Sequence, residues 1–564
     1  MSKEKTHILL IADFNIENLS GLFNNDEVHP QIKATAAPFD QAAQILMDDS
    51  HECWKSIPEY ALVWTTPDKV SPAFAQLKQF ETTTIEKIKS DIDQLAKQLI
   101  KASTRVKALF VATWTIPPME QGLGMLDLKS DAGVRRALQI MNSKIIELLN
   151  EQKNIFVLDS SKWIGKVGSK AISPKLWYLG KIPFANEVFL ESLYDIKAAI
   201  NGIEGKSKKL IVVDLDNTLW GGIVGDIGWE NIRLGGHDPV GEAFKDFQQD
   251  LKALTNRGIL LGIVSKNEEK TALEAIEKHP EMILHSDNFA GWKINWNDKA
   301  QNLADLVSEL NLGMDSVVFI DDNPVERDRV RESFPEVLVP EMPEDKLLFP
   351  SVLKSLRCFD NPVISDEDRI RTEKYRAEQK RKTSRAKVDS IDDWLKSLET
   401  VVTVEPLFPV NLERTAQLLN KTNQMNLSTR RMTADALKMW SENKNHEFWT
   451  FRVADKFGDS GLVGILSLEF AKENAAIVDF VLSCRVMGRK VEETMAHLAI
   501  MRAKKNRATE VTAKLIPTER NSPCLKFWQN SGFQCGNDTN LFKWEVSKTY
   551  ELPGSIKLIF KSEL

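Results

Sequence analysis

The sequence predicts an α/β protein of three domains: a parallel α/β unit over 1–200, a second α/β unit over 205–365 and an α+β unit over 393–550, with a charged connecting segment over 366–392. Three observations predict it. Short apolar runs rich in β-branched residues alternate with helical patterns through the first two domains, as in parallel sheets covered by helices. The last third places strand patterns side by side with Gly-containing turn signals between them, the pattern of antiparallel pairing. At 564 residues the chain also exceeds what a single hydrophobic core supports.

In the first domain, strands are predicted at His7–Ala12, Ala61–Trp64, Ala108–Thr113 and Ile155–Leu158, with helical stretches such as Thr84–Lys101 and Gly133–Glu151 between them. Asp13-Phe14-Asn15, Trp64-Thr65-Thr66 and Thr113-Trp114 would then line one edge of the sheet. The order resembles SGNH-type hydrolases. That family's nucleophilic Ser in a Gly-Asp-Ser block is missing, however, since the corresponding run is Ile11-Ala12-Asp13-Phe14, and the late stretch SPKLWYLGKIPF holds no His. Without a Ser nucleophile or a His base, acyl transfer has no machinery. The domain reads as a degenerate SGNH-like unit that binds a substrate or carrier, or that serves only to pack.

After a short linker, Gly202–Lys208, comes the stretch KLIVVDLDNTLWGG. Leu210–Val213 has the continuous apolar character of a strand buried on both faces. Asp214 and Asp216 follow it directly, at the sheet edge where α/β proteins bind ligands. Two acids there are costly unless a positive charge offsets them. Hard carboxylate oxygens in that position point to a divalent cation, magnesium first. Further on, Ile263-Val264-Ser265 ends a second apolar strand in a Ser, Lys299 opens the helical run KAQNLADLVSELNL, and VVFIDDNPVERDRVR ends a strand in Asp321 and Asp322.

DLDNT followed in order by these three segments resembles the four motifs of the haloacid-dehalogenase-like (HAD) phosphotransferases. The longer strings DLDNTLWGGIVGD, WNDKAQN and FIDDNPVER are similar to its FkbH-like branch. The resemblance implies a HAD-like Rossmannoid domain and assigns roles. Asp214 would be the nucleophile. Asp216 would exchange a proton with the leaving oxygen and with water, and lend its main-chain carbonyl to Mg2+. Asp214 and Asp321 would hold the metal, and Asp322 would complete its shell or orient a ligand water. Ser265 and Thr218 would donate hydrogen bonds, and Lys299, preferred over Lys293, would neutralise the transferring group. Competing readings make Ser265 a helix cap and Asp322-Asn323-Pro324 a helix-start turn. Arg327 and Arg329 are expected on a solvated helix face. Between the first two motifs lie GGIVGDIGWENIRLGG, read as a Gly-rich hairpin, and the helix Val240–Arg257; neither this interval nor 265–299 has room for a large cap. The domain is therefore expected to be capless, with a site open to a bulky or carrier-delivered substrate.

The connecting segment interleaves acids and bases at helical spacing and reads as a solvated helix. In the third domain VVTVEPL is a predicted strand, Leu412–Leu419 a helix, and TFRVADKFGDSGLVGILSLEF a hairpin turning at Gly-Asp and Ser-Gly. AAIVDFVLSCRVMGRKVEETMAHLAIMRAKKN then runs strand, Gly-containing turn, helix, an arrangement suited to pyrophosphate. This order resembles the GNAT N-acyltransferases, whose pyrophosphate loop would correspond to Arg485, Gly488 and Arg489, with an acyl-CoA or phosphopantetheine arm as ligand. Lys490 stands where a small residue is usual, and Trp528 lies where GNAT enzymes often keep an acidic Tyr. Trp cannot supply that proton.

Net charge is −6 and both signs are mixed, so composition gives no reason to expect nucleic acid as a partner. Five scattered cysteines have no metal-ligand spacing and read as reduced thiols, which together with the short N-terminal apolar run leads to an expectation of a cytoplasmic chain without membrane partners. FkbH-like proteins dephosphorylate a bisphosphoglycerate-derived acyl phosphate and load the glyceryl unit on an acyl carrier protein. The resemblance implies that role here, with one departure. Some relatives carry Cys between the two acids of the first motif, where this chain has Leu215. Two other readings stand beside it: a phosphatase of a phosphorylated sugar or small acid, and an inactive carrier-docking scaffold.

Overall fold

A computed structural model of the chain describes residues 5–116, 122–129, 133–363, 372–373, 375–377, 381, 384, 390–518, 520–536 and 538–561. Most of the connecting segment expected at 366–392 lies outside the described residues. Three sheets organise the rest, and the fold is mixed α/β as the sequence predicts. The chain divides into two compact units, Met1–Lys208 with Ser355–Val363, and Lys209–Lys354 with Ile364–Leu564. The end of the predicted middle domain thus belongs to the first unit.

The first unit is built on five parallel strands, β1 (Thr6–Ala12), β2 (Ile32–Ala36), β3 (Tyr60–Trp64), β4 (Ala108–Ala112) and β5 (Ile155–Leu158), in the order β2-β1-β3-β4-β5. Every residue of β3 and β4 is buried, as continuous apolar runs covered on both faces require. Two apolar clusters fill the two faces, one around Ile92, Leu99 and Met141, the other around Phe14, Trp64 and Trp163. β2 is the strand the sequence reading does not contain; Lys33 and Thr35 alternate with buried Ile32 and Ala34 in an edge position.

The second unit contains two sheets. The sheet that carries the motifs has four parallel strands, β6 (Leu210–Val213), β7 (Leu260–Ser265), β8 (Gly291–Ile294) and β9 (Val317–Ile320), in the order β8-β7-β6-β9. β6, fully buried, has β7 and β9 for neighbours, so the carboxyl ends of three consecutive strands meet. The helices Pro239–Asn256, Lys299–Glu309 and Pro324–Ser333 start on that same edge or cover the sheet. The expected Gly-rich hairpin is instead a loop of two short helical turns, Val224–Ile227 and Trp229–Asn231, closed by a bridge between Gly221 and Arg233.

The third sheet runs β16 (Gln534–Cys535), β17 (Leu541–Glu545), β15 (Glu510–Lys514), β14 (Asn474–Leu482), β13 (Gly458–Ala471), β12 (His446–Asp455), β10 (Thr400–Pro406), β18 (Ile556–Phe560), with the short β11 (Met425–Asn426) beside β14. Most of its pairs are antiparallel. The parallel pair β14–β15 brackets the helix Val491–Lys505. The hairpin turn falls at Lys456-Phe457, ahead of the predicted Gly-Asp and Ser-Gly positions, which lie inside β13 next to register shifts. Asp455 fixes the turn early by accepting from the Phe457 amide (2.9 Å).

Candidate active site

β6 ends at Val213, and the Asp214 amide bonds to the Ile320 carbonyl (3.0 Å), so the first motif and the end of β9 are held in register. Asp214 and Asp321 therefore leave adjacent strands side by side. Lys299, first residue of its helix, lies between them: its Nζ is 3.1 Å from Asp214 Oδ1 and 2.6 Å from Asp321 Oδ2. All three side chains are under 10 % exposed. Asp298 makes this placement possible by capping the helix through the Gln301 amide (3.0 Å). Lys293, the other candidate, pairs with Glu309 at the surface.

The charges do not balance. Burial first, and Asp321 second, push the Asp214 carboxyl up to about 7. Burial also raises Asp321. Burial alone would lower Lys299, but the two carboxylates outweigh it and hold the ammonium above its usual range. One cation serves two buried anions, and Asp322 adds a third carboxylate whose oxygen comes within 4.8 Å of theirs. An all-oxygen donor set with excess negative charge fits a hard divalent cation such as Mg2+.

Ser265 ends β7, is buried, and hydrogen-bonds Asp214. It is not a helix cap; that position belongs to Glu268. Asn323, one residue beyond Asp322, caps the helix Pro324–Ser333. Asp322 itself accepts from Lys346 (3.0 Å), a cation the motifs do not include. Thr218 is fully buried, and its Oγ1 accepts from the Asp322 amide (3.2 Å), so it ties the first motif to the fourth.

Asp216 is held apart from the other carboxylates. Its Oδ1 accepts from Trp220 Nε1 (2.9 Å) and the Val224 amide (3.1 Å), and its Oδ2 from Asn267 Nδ2 (2.9 Å). Asn217 makes this turn with φ at +57°, its Oδ1 accepting from Gly222. Asn267 also reaches Ser265 Oγ (3.3 Å), linking the second motif to the first. Asn267 and Trp220 escaped the sequence reading, although each sits within four residues of a motif acid or serine.

Arg327 corrects an expectation. Its guanidinium is not solvated; it is about 5 % exposed and donates through Nη1 to the carbonyls of Asp321 (2.9 Å) and Asp322 (2.8 Å). It thus holds the turn that presents both acids. Arg329 is on the solvated face, paired with Asp298. We expect Arg327→Ala to destabilise the protein by about 3 kcal/mol, since it leaves two carbonyls without their donor. A urea titration measures this, and a loss under about 0.5 kcal/mol, the range of an ordinary surface change, would contradict it.

On the carboxyl edge of the first unit, the polar groups satisfy one another. Asp13 accepts from the Thr66 amide (2.8 Å) and hydroxyl (3.0 Å), with burial pushing its carboxyl up to about 6. Thr65 accepts from Trp114 Nε1 (3.0 Å), and Asn142 clamps the Trp114 main chain. In the C-terminal sheet, Arg485, Gly488 and Arg489 do fall in the loop between β14 and the helix Val491–Lys505. Arg489, however, is buried on Asp455 (2.6 Å).

No family model and no curated protein matches the chain. Among solved structures, it is similar to the N-terminal part of a Bacteroides fragilis protein containing a phosphatase domain complexed with Mg: 28% identity over 64% of this chain and 94% of that one, with a TM-score of 0.58. Two acetyltransferases are also similar over a quarter of the chain. One is the PaiA N-acetyltransferase of Thermoplasma acidophilum in complex with coenzyme A (16% identity, 26% of this chain, 98% of that one, TM-score 0.20). The other is a spermidine N-acetyltransferase mutant from Vibrio cholerae (14% identity, 26% and 95%, TM-score 0.21). The chain carries a phosphatase-like domain, and no helix among its described residues is long and apolar enough to cross a membrane.

Proposed function

We propose that this protein is a magnesium-dependent phosphatase or phosphotransferase of the HAD type, working through an aspartyl-phosphate on Asp214. The observation that carries the reading is the buried cluster of Asp214, Lys299 and Asp321, with Asp322 alongside. Asp214, Asp321 and Asp322, with the main-chain carbonyl of Asp216, would hold the metal, which supplies positive charge to offset the phosphoryl oxygens.

The chain's own residues carry the reaction. An Asp214 oxygen attacks phosphorus in line with the leaving oxygen, and the bond to the leaving group breaks as the carboxyl–phosphate bond forms. Lys299 neutralises charge on Asp214 and the transferring group, and Ser265 donates to it. Asp216, aimed by Trp220, Val224 and Asn267, protonates the departing oxygen and later takes a proton from the water that cleaves the aspartyl-phosphate. Thr218 and Arg327 act one step back by fixing the Asp321-Asp322 turn.

The substrate we propose is a bisphosphoglycerate with one acyl phosphate. Asp214 takes the phosphoryl group of the ester phosphate, while the phosphopantetheine thiol of an acyl carrier protein attacks the acyl carbon and displaces the acyl phosphate as inorganic phosphate, leaving a glyceryl thioester. Incubation with that substrate, magnesium and candidate carriers, read by intact-protein mass, tests it. A glyceryl mass gain on the carrier's phosphopantetheine is the expected result. Phosphate release with unmodified carriers would favour the second reading, a phosphatase of a small phosphorylated acid or sugar. One observation favours that second reading: no cysteine lies between Cys53 and Cys358, so the segment that carries the phosphoryl site, Lys209–Lys354, has no thiol of its own for a thioester.

The metal site yields a separate expectation. Below pH 6 the raised Asp214 is mostly protonated in the metal-free chain, and a cation must displace that proton. At pH 8 the carboxylates are ionised and short of positive charge. Magnesium should therefore raise the melting temperature more at pH 8 than at pH 6, by several degrees in differential scanning calorimetry. Equal shifts at both pH values would contradict the site.

A further inference from the structure

The loop that the GNAT resemblance assigns to a CoA pyrophosphate does not fit that group. It lies between β14 and the helix Val491–Lys505, with Gly488 at φ +73° and Lys490 at φ +65°. Such a loop binds a pyrophosphate by turning main-chain amides toward it, at the positive end of a helix. Here the Gly488 amide already donates to Glu492 Oε1 (2.7 Å). Glu492 is in the first turn of the helix, about 4 % exposed, and its Oε2 is buried without a partner. The carboxylate therefore occupies the ground where a phosphate oxygen would accept. Glu493, the next residue, also lies in the first turn of the helix.

The cations of the loop are committed as well: Lys490 Nζ donates to Glu493 Oε1 (2.8 Å) and Arg485 Nε to Ser483 Oγ (3.3 Å). Arg489 Nη1 donates to Asp455 Oδ2 (2.6 Å), and Nη2 to the Arg485 carbonyl (3.1 Å) and to Ser460 Oγ (3.4 Å). The Asp455 carboxylate is fully buried and takes a second guanidinium, Arg381, through both oxygens (2.6 and 2.9 Å). Moving Arg489 to an incoming anion would break this packed group. A cavity of about 260 Å³ beside the loop is walled by Glu492 and Glu493 together with Met487, Phe527 and Tyr550. Lys526 also lines it.

We infer that the anion loop of the C-terminal domain is closed by its own Glu492, so that this domain does not bind CoA through a pyrophosphate. The domain keeps an acyltransferase-like topology around a site that an internal carboxylate has taken over.

Isothermal titration calorimetry on the metal-free full chain at pH 8 tests this, because the phosphoryl site then sets three carboxylates against the two ammonium groups of Lys299 and Lys346 and keeps an excess of negative charge that disfavours anions. The probes are coenzyme A and inorganic pyrophosphate. The wild-type chain is expected to show no binding of either up to about 1 mM. Burial pushes the Glu492 carboxyl up to about 7, so it is ionised at pH 8; there Glu492→Gln removes the charge and keeps an acceptor, and Glu492→Ala removes both. Pyrophosphate affinity should rise from wild type to Gln to Ala, by roughly tenfold or more in total. Wild-type binding of coenzyme A with a Kd below about 100 μM would overturn the inference without recourse to any variant. So would equal pyrophosphate affinity in the three chains. Neither outcome bears on phosphoryl transfer at Asp214, which is measured separately with magnesium present.

Discussion

Asp214→Asn is expected to abolish phosphate release, by about 10⁴-fold or more, while making the metal-free protein more stable at pH 8. The first effect follows from loss of the attacking oxygen, for which no neighbour substitutes. The second follows from its electrostatics. The Asp214 carboxyl sits at about 7 in the folded chain against 3.8 for an unperturbed Asp, so the folded state binds the proton more tightly than the unfolded state. Folding is favoured by this group below pH 4, and that contribution is lost as pH rises toward and through 7. At pH 8 the penalty is at most about 4 kcal/mol, and a neutral amide escapes it. Scanning calorimetry in chelator, alongside a phosphate-release assay in magnesium, reads both effects. A variant that is inactive because it has unfolded would show the opposite thermal result.

Lys299→Met is expected to act in the reverse sense on stability. It leaves Asp214 and Asp321 buried with no ammonium between them, and breaking a buried pair from one side costs about 3–5 kcal/mol. Their carboxyls should rise further, so the lost stability returns as pH falls toward 5 and both take up protons. Activity should fall by about 10²–10³-fold, the usual effect of removing one electrostatic contact to a developing charge. Denaturant titrations at pH 5 and pH 8 separate this from a simple packing defect, whose cost would be the same at both. The two variants together are diagnostic: removing one acid relieves the cluster, and removing the base that Asp214 and Asp321 share strains it.

The residues that sequence made legible are those whose chemistry is local. Asp214 and Asp216 stand directly after a buried apolar strand, and Ser265, Lys299 and Asp321 each open or close an element with its own pattern. Strand order therefore brings Asp214, Ser265 and Asp321 together, and the helix that Lys299 opens sets its ammonium between the two acids. Arg327 was misread because one helical turn of charged residues looks solvated; only the fold turns its guanidinium back onto the Asp321 and Asp322 carbonyls. Lys346 is 24 residues from Asp322, and no local pattern announces the pair. Asn267 was open to a closer reading, since an amide two residues past a strand-end Ser can bond across to the next strand.

The C-terminal loop shows the same limit. A Gly flanked by arginines reads as an anion site, but its Asp455 partner lies on a hairpin 34 residues upstream. The hairpin turn itself was misplaced because Asp455 closes it before the Gly-Asp pair is reached. β2 has little apolar signal because it is a short edge strand in which Lys33 and Thr35 alternate with Ile32 and Ala34.

The central claim is covalent phosphoryl transfer to the first acid of the motif. Acid quench during turnover of a bisphosphoglycerate in magnesium, followed by borohydride reduction and peptide mass spectrometry, tests it directly. An aspartyl-phosphate on Asp214 would be reduced to homoserine at that position in the peptide spanning Lys209 to Arg233, and the account predicts that single change. Phosphate release with an unmodified peptide, or homoserine at position 216 or 321 instead, would contradict it.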